Sequence, residues 1–181
     1  MRIAGFGGQG VVLAGQIVGQ AAAVYDGQYA TFTQNYGPEA RGGSCTAEIV
    51  KDEKPIDYPY LTGPEIVVIL SQDAYSKYGK EIPPNALLIV DPDLVTPGAL
   101  KRNVLTVPAN KMARDLGRAV VANIVLLGFV AAVSDFVTVD ALRKSVLASV
   151  PKGTGEFNMK AFELGYKYGL ELGKRGDGSN G

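Results

Sequence analysis

The sequence predicts an α/β fold, a single domain with a mostly parallel sheet, flanking helices and a helical C-terminal third. Three observations carry that expectation. Short apolar, β-branched runs alternate with helical pattern through the first two thirds, the order that builds a parallel sheet. The first run passes directly into a glycine turn and an amphipathic stretch. From about Lys111 onward the apolar spacing is helical.

The elements follow in order. Residues 2–6 read as a strand and residues 9–24 as a helix, with Val12, Leu13, Ile17 and Val24 on its apolar side. Strand, glycine turn and helix open a Rossmann-like domain. Residues 29–33 are aromatic and β-branched, and residues 46–50 alternate. Residues 65–70 and 86–90 carry the continuous runs IVVIL and ALLIV of strands covered on both faces. Residues 104–107 are a further short strand, and Pro83, Pro84, Pro92, Pro97 and Pro108 punctuate these pieces. Helices are expected over residues 117–133, over 139–150 behind Thr138 as N-cap, and over 156–172. Residues 119–133 are very apolar but carry Asn123 and Gly128, and they fall short of the roughly 18 residues of a membrane span. A buried core helix fits them better. The domain is expected to cover residues 1–172, leaving 173–181 (GKRGDGSNG) as a polar, disordered tail.

Composition narrows function. The chain has 181 residues, 46% apolar and 20% charged, with 18 Lys plus Arg against 18 Asp plus Glu. That balance supplies no long-range field to gather nucleic acid or an anionic membrane. There is no histidine, so the usual neutral-pH proton carrier and the commonest metal ligand are both missing. Cys45 is the only cysteine, too few for an iron-sulfur cluster, which takes four protein ligands. Its place in an alternating apolar run reads as a buried strand thiol. No catalytic residue and no metal ligand set is assigned. The opening MRIAGFGGQG has no charged leader with an apolar stretch behind it, so a cytoplasmic chain is expected.

Two segments are dense in chemistry. Gly5, Gly7 and Gly10, with Gly8 and Gln9 between them, satisfy G-x-G-x-x-G after a strand and at the mouth of a helix. Glycine admits positive φ and close backbone approach, and a helix N-terminus attracts anions. A phosphate cradle and a tight turn against a neighbouring chain both fit. A nicotinamide site would add an acid at the end of the second strand. Gln34 and Asn35 stand there instead, with Asp26 before the strand and Glu39 beyond it. The second segment, residues 34–43, displays Tyr36, Glu39 and Arg41 on a backbone stiffened by Gly37, Pro38, Gly42 and Gly43. Such a loop suits a ligand or a partner surface. Asn123 is a buried amide that needs a partner, as a helix-to-loop tie or a ligand contact. Gly176-Asp177-Gly178 echoes a thiamine diphosphate motif, but too little chain follows it to hold magnesium and diphosphate.

GFGGQGVVLAG together with TQNYGPEARGGSCTAEI resembles the gamma subunit, or gamma domain, of the 2-oxoacid:ferredoxin oxidoreductases. The likeness is sharpest over residues 1–50 and continues through PEIVVIL, NVLTVPAN and RAVVANIVLLG. It implies a complex that decarboxylates a 2-oxoacid, passes the acyl group to coenzyme A and reduces ferredoxin. Thiamine diphosphate and magnesium would belong to alpha and beta partner subunits, and iron-sulfur clusters to a delta-type or other cluster-bearing subunit. The chain alone would be inactive. The resemblance also implies that Gly5, Gly7, Gly8, Gln9 and Gly10 face coenzyme A, beside the interface or ligand loop that the residue types already suggest for Tyr36, Gly37, Pro38, Glu39, Arg41, Gly42 and Gly43. That loop looks like the 2-oxoglutarate or branched-chain type rather than the pyruvate type. Asn35, where serine is frequent, and a first strand beginning almost at Met1 are the departures. The competing expectations are a stand-alone NAD- or FAD-dependent dehydrogenase and a non-catalytic nucleotide-binding regulatory module.

Overall fold

The computed structural model describes residues 1–37, 43–98 and 103–177, with side chains as far as residue 174. Six strands form one sheet: β1 (Arg2–Phe6), β2 (Tyr29–Tyr36), β3 (Ser44–Asp52), β4 (Ile66–Ile69), β5 (Leu87–Val90) and β6 (Val104–Thr106), in the order β2-β3-β1-β4-β5-β6. β1, β4, β5 and β6 pair in parallel, whereas β3 runs antiparallel to both β1 and β2. The sheet is therefore mostly parallel, as expected, with β3 the one reversed strand among those described.

That reversal explains the missing acid. In a dinucleotide-binding unit the second strand lies beside the first. Here the hairpin return β3 takes that place and moves β2 out by one strand spacing, roughly 4.8 Å. The end of β2 no longer borders the glycine turn directly.

Alternation along the strands divides the core. Ile3, Cys45, Ala47, Ile49, Val68 and Ile89 face the larger cluster. They meet α1 (Val11–Gln20), α4 (Ala122–Val133), α5 (Val139–Ser149) and α6 (Gly155–Asp177). Ala4, Val67, Ile69, Leu88 and Val90 face a smaller cluster closed by Ala74, Ile82 and Val95. Ala74 lies on α2 (Gln72–Tyr78). That helix was not among the expected elements, although Ser71 caps it by accepting from the Ala74 N–H at 3.2 Å.

Other boundaries shift for local reasons. The helix expected over residues 117–133 is interrupted: α3 (Ala109–Asp115) comes first, Gly117 turns at φ 100°, and a 3-10 turn at Ala119–Val121 leads into α4. Thr138 does cap α5, accepting from the Ala141 N–H at 3.2 Å. α6 continues to Asp177, so residues 173–177 are helical rather than part of a disordered tail. Residues 178–181 lie outside the described residues.

α4 is buried almost all round, as its predominantly apolar composition demands. It crosses α6 so closely that a Cβ on Gly128 would fall on the Phe162 carbonyl, and one on Gly165 would fall on the Val125 carbonyl. Among the described residues no helix is long and apolar enough to cross a membrane.

Candidate functional site

The site lies at the C-terminal end of the parallel strands, where ligands bind in open α/β sheets. β1 ends at Phe6, and the chain must reverse into α1 within a few residues. Gly8 at φ 95° and Gly10 at φ 73° make that reversal in left-handed backbone, with Gly10 as the N-cap of α1. Gln9 fixes the turn with both ends of its amide. Its Oε1 accepts from the Phe6 N–H at 2.6 Å, and its Nε2 donates to the Leu70 carbonyl at 2.7 Å. This clamp joins the ends of β1 and β4. A Cβ on Gly5 would strike the Gln9 amide, which accounts for the first glycine.

The third glycine answers to Asn123. A Cβ on Gly10 would collide with the Asn123 side chain, whose Nδ2 donates to the Gly10 carbonyl at 3.4 Å. Asn123 is 4% exposed and sits in the first turn of α4. It is the helix-to-loop tie foreseen for it, and it also lines the cavity beside the turn. That cavity, about 310 Å³, is bounded by Gly8, Gln9, Leu70, Asn110, Val120 and Asn123, among others.

Asn110 comes from a pair the sequence did not bring to notice. Asp91, buried at the end of β5, accepts from the Asn110 backbone N–H and from its Nδ2, both at 2.9 Å, and from the Asp93 N–H at 3.0 Å. This ties α3 to β5. The only signal was a D-P-D directly after a buried strand. By contrast, Asp26 accepts from the Thr138 hydroxyl at 2.6 Å and its backbone N–H at 2.8 Å, which makes it a structural link to α5.

Among the described residues no ionised side chain lines the cavity. Ala122 and Asn123 of the first turn of α4 border it, as do Gly8 and Gln9 on the approach to α1, and the N-terminal ends of the two helix macrodipoles favour negative charge there. The place is receptive to an anionic group that tolerates an apolar wall and three amides. Among the described residues no group of three or more His, Cys, Asp or Glu side chains could hold a metal.

The two chemistry-bearing segments meet. Gly7 N–H donates to the Gly43 carbonyl at 2.9 Å, so the loop between β2 and β3 ends against the glycine turn. Gly37 N–H donates to the Ser44 carbonyl at 2.6 Å, and Tyr36 is 59% exposed. Pro38, Glu39, Arg41 and Gly42 lie outside the described residues. Cys45 pairs with Gly5 across β1, is 3% exposed, and has its thiol pKa pushed up by burial. It is a strand thiol packed in the core rather than a site nucleophile.

Fold and site together define a Rossmann-like α/β domain whose glycine turn opens on a cavity lined by three amides and apolar side chains. Residues 1–168 match the family described as pyruvate ferredoxin/flavodoxin oxidoreductase, and the chain belongs to that family. It is 44% identical over 176 residues to the 2-oxoglutarate synthase subunit KorC of Methanocaldococcus jannaschii, covering 95% of this chain and 94% of the relative. Against the pyruvate synthase subunit PorC of Methanothermobacter thermautotrophicus the identity is 31% over 172 residues, covering 92% and 93%. Among solved structures it resembles a keto/oxoacid ferredoxin oxidoreductase gamma subunit from Geobacter sulfurreducens, with a TM-score of 0.82 and 37% identity over 94% of this chain and 97% of the other. A stand-alone NAD- or FAD-dependent dehydrogenase is not favoured.

Proposed function

We propose that this chain is the gamma subunit of a 2-oxoacid:ferredoxin oxidoreductase of the 2-oxoglutarate type, and that its glycine turn helps to bind coenzyme A. The carrying observation is the cavity beside Gly8–Asn123, which lies at the N-terminal ends of α1 and α4 and brings together three amides, with no carboxylate among its described lining residues. A phosphate of the coenzyme fits that chemistry. The higher identity to a 2-oxoglutarate synthase subunit than to a pyruvate synthase subunit favours 2-oxoglutarate.

In this reading the chain's residues bind and orient. Gly8 and Gly10 open the backbone, Gln9 holds the turn between β1 and β4, and Asn123 seats α4 against it. Coenzyme A supplies the thiol that accepts the acyl group. Thiamine diphosphate, magnesium and the iron-sulfur clusters belong to alpha, beta and delta-type partner subunits, and ferredoxin is reached through them. The loop from Tyr36 to Gly43, including Arg41, faces those partners or the ligand they share. A cytoplasmic setting goes with that assembly.

Gly7→Val and Gly10→Val are expected to raise the KM for coenzyme A in the assembled enzyme, with KM for the 2-oxoacid unchanged and an intact circular dichroism spectrum. An unaltered coenzyme A dependence in both folded variants would reduce the turn to a structural element.

A further inference from the structure

β2 is an edge strand, and it is built unlike one that faces water. Its sequence YATFTQNY has no charge, no proline and no glycine, the devices by which edges are ordinarily protected from pairing. The hydrogen-bond parity can be read from the hairpin. Gly37 and Ser44 form a bonded pair, so Asn35, Thr33, Thr31 and Tyr29 point their backbone groups toward β3. Ala30, Phe32, Gln34 and Tyr36 point theirs outward. Those outward groups have no partner among the described residues.

The flanks of this edge are apolar. Of the nine large apolar side chains left exposed among the described residues, six surround it: Val24 and Tyr25 at the end of the helical segment leading in, Tyr29 and Tyr36 at its ends, and Tyr58 and Tyr60 on a loop whose Pro59 carbonyl accepts from the Thr31 hydroxyl. Tyrosine gathered around unpaired backbone is the composition of an interface.

We propose that the outer edge of β2 joins two copies of this chain, antiparallel about a twofold axis, merging their sheets into one. This goes beyond the subunit assignment and does not rest on it. The register favours a second copy as occupant. Placing Thr33 on the axis sets Phe32 opposite Gln34 and Ala30 opposite Tyr36, so every outward N–H and C=O is used by its counterpart. The bulky Tyr36 then lies over the small Ala30. Because the strand carries no charge, self-pairing sets no like charges face to face.

The test is the mass of the purified full chain by size exclusion with light scattering. Wild type is expected at twice the 19.1 kDa of the monomer. Gln34→Pro removes an N–H that only an incoming strand uses and leaves the bonds to β3 in place, so it should halve the mass. Thr33→Lys should do the same, since it sets two ammonium groups together at the axis. Within one chain that lysine faces Glu48, which keeps the fold. Circular dichroism and thermal melts check that both variants fold. A monomeric wild type at micromolar concentration would give the edge to a different chain and overturn the proposal, as would a dimer that persists in folded Gln34→Pro.

Discussion

Glycine serves opposite purposes in two regions of this molecule. At the strand-to-helix turn, Gly8 and Gly10 are present because the backbone takes φ values that side chains resist; the space beside Gly8 stays open toward the cavity, and Gly10 also abuts the Asn123 amide. At the crossing of α4 and α6, Gly128 and Gly165 have ordinary helical backbone, and the space beside them is filled by carbonyls of the facing helix. The first region spends glycine on conformation and access, the second on contact. The cost of adding a Cβ should therefore be largest where glycine looks conformationally ordinary.

The largest effect is expected from Gly165→Val. Its side chain must displace the Val125 backbone, and overpacking against a carbonyl with no flexible neighbour should cost about 3 kcal/mol or more. A melt should register this as a fall in Tm of roughly 10 °C. If Tm holds, the crossing is looser than described and the comparison fails on that side. Gly10→Ala should cost less, about 1–3 kcal/mol, combining left-handed strain with a clash that rotation of the Asn123 amide can partly relieve. The double variant Gly10→Ala with Asn123→Ala would sharpen this, recovering the steric part and leaving the φ strain. At the small end, Gly173 lies exposed on α6 with nothing near its would-be Cβ. Gly173→Ala should stabilise the protein by about 0.5–1 kcal/mol in chemical denaturation, since only helix propensity is at stake.

The same contrast separates what was legible in the sequence from what was not. The turn could be read because its demands are local: a strand, three glycines at fixed spacing and a helix lie within twenty residues. Cys45 was legible as a core thiol for a similar reason, since alternation along one strand fixes its face. The helix crossing was not legible. Gly128 and Gly165 are far apart in the chain, and only packing shows that each meets a backbone. Gln9 and Asn110 belong to the same class, because the Leu70 carbonyl and the Asp91 carboxylate that hold them reach the turn only when β4 and β5 line up beside β1. The reversed strand β3 lay between the two cases. Its alternation was plain, but its insertion between β1 and β2 depends on pairing that composition does not encode.

The central claim is that the chain contributes a binding and assembly surface to an enzyme whose redox and proton chemistry sits in other subunits. The most direct measurement is reconstitution, following coenzyme A-dependent reduction of ferredoxin or a dye with 2-oxoglutarate by the partner subunits, with and without this chain. The chain alone should be colourless and show no turnover. Its addition to the partners should restore activity that they lack without it. Turnover of a 2-oxoacid by the isolated chain, or full activity of the partners in its absence, would contradict the account.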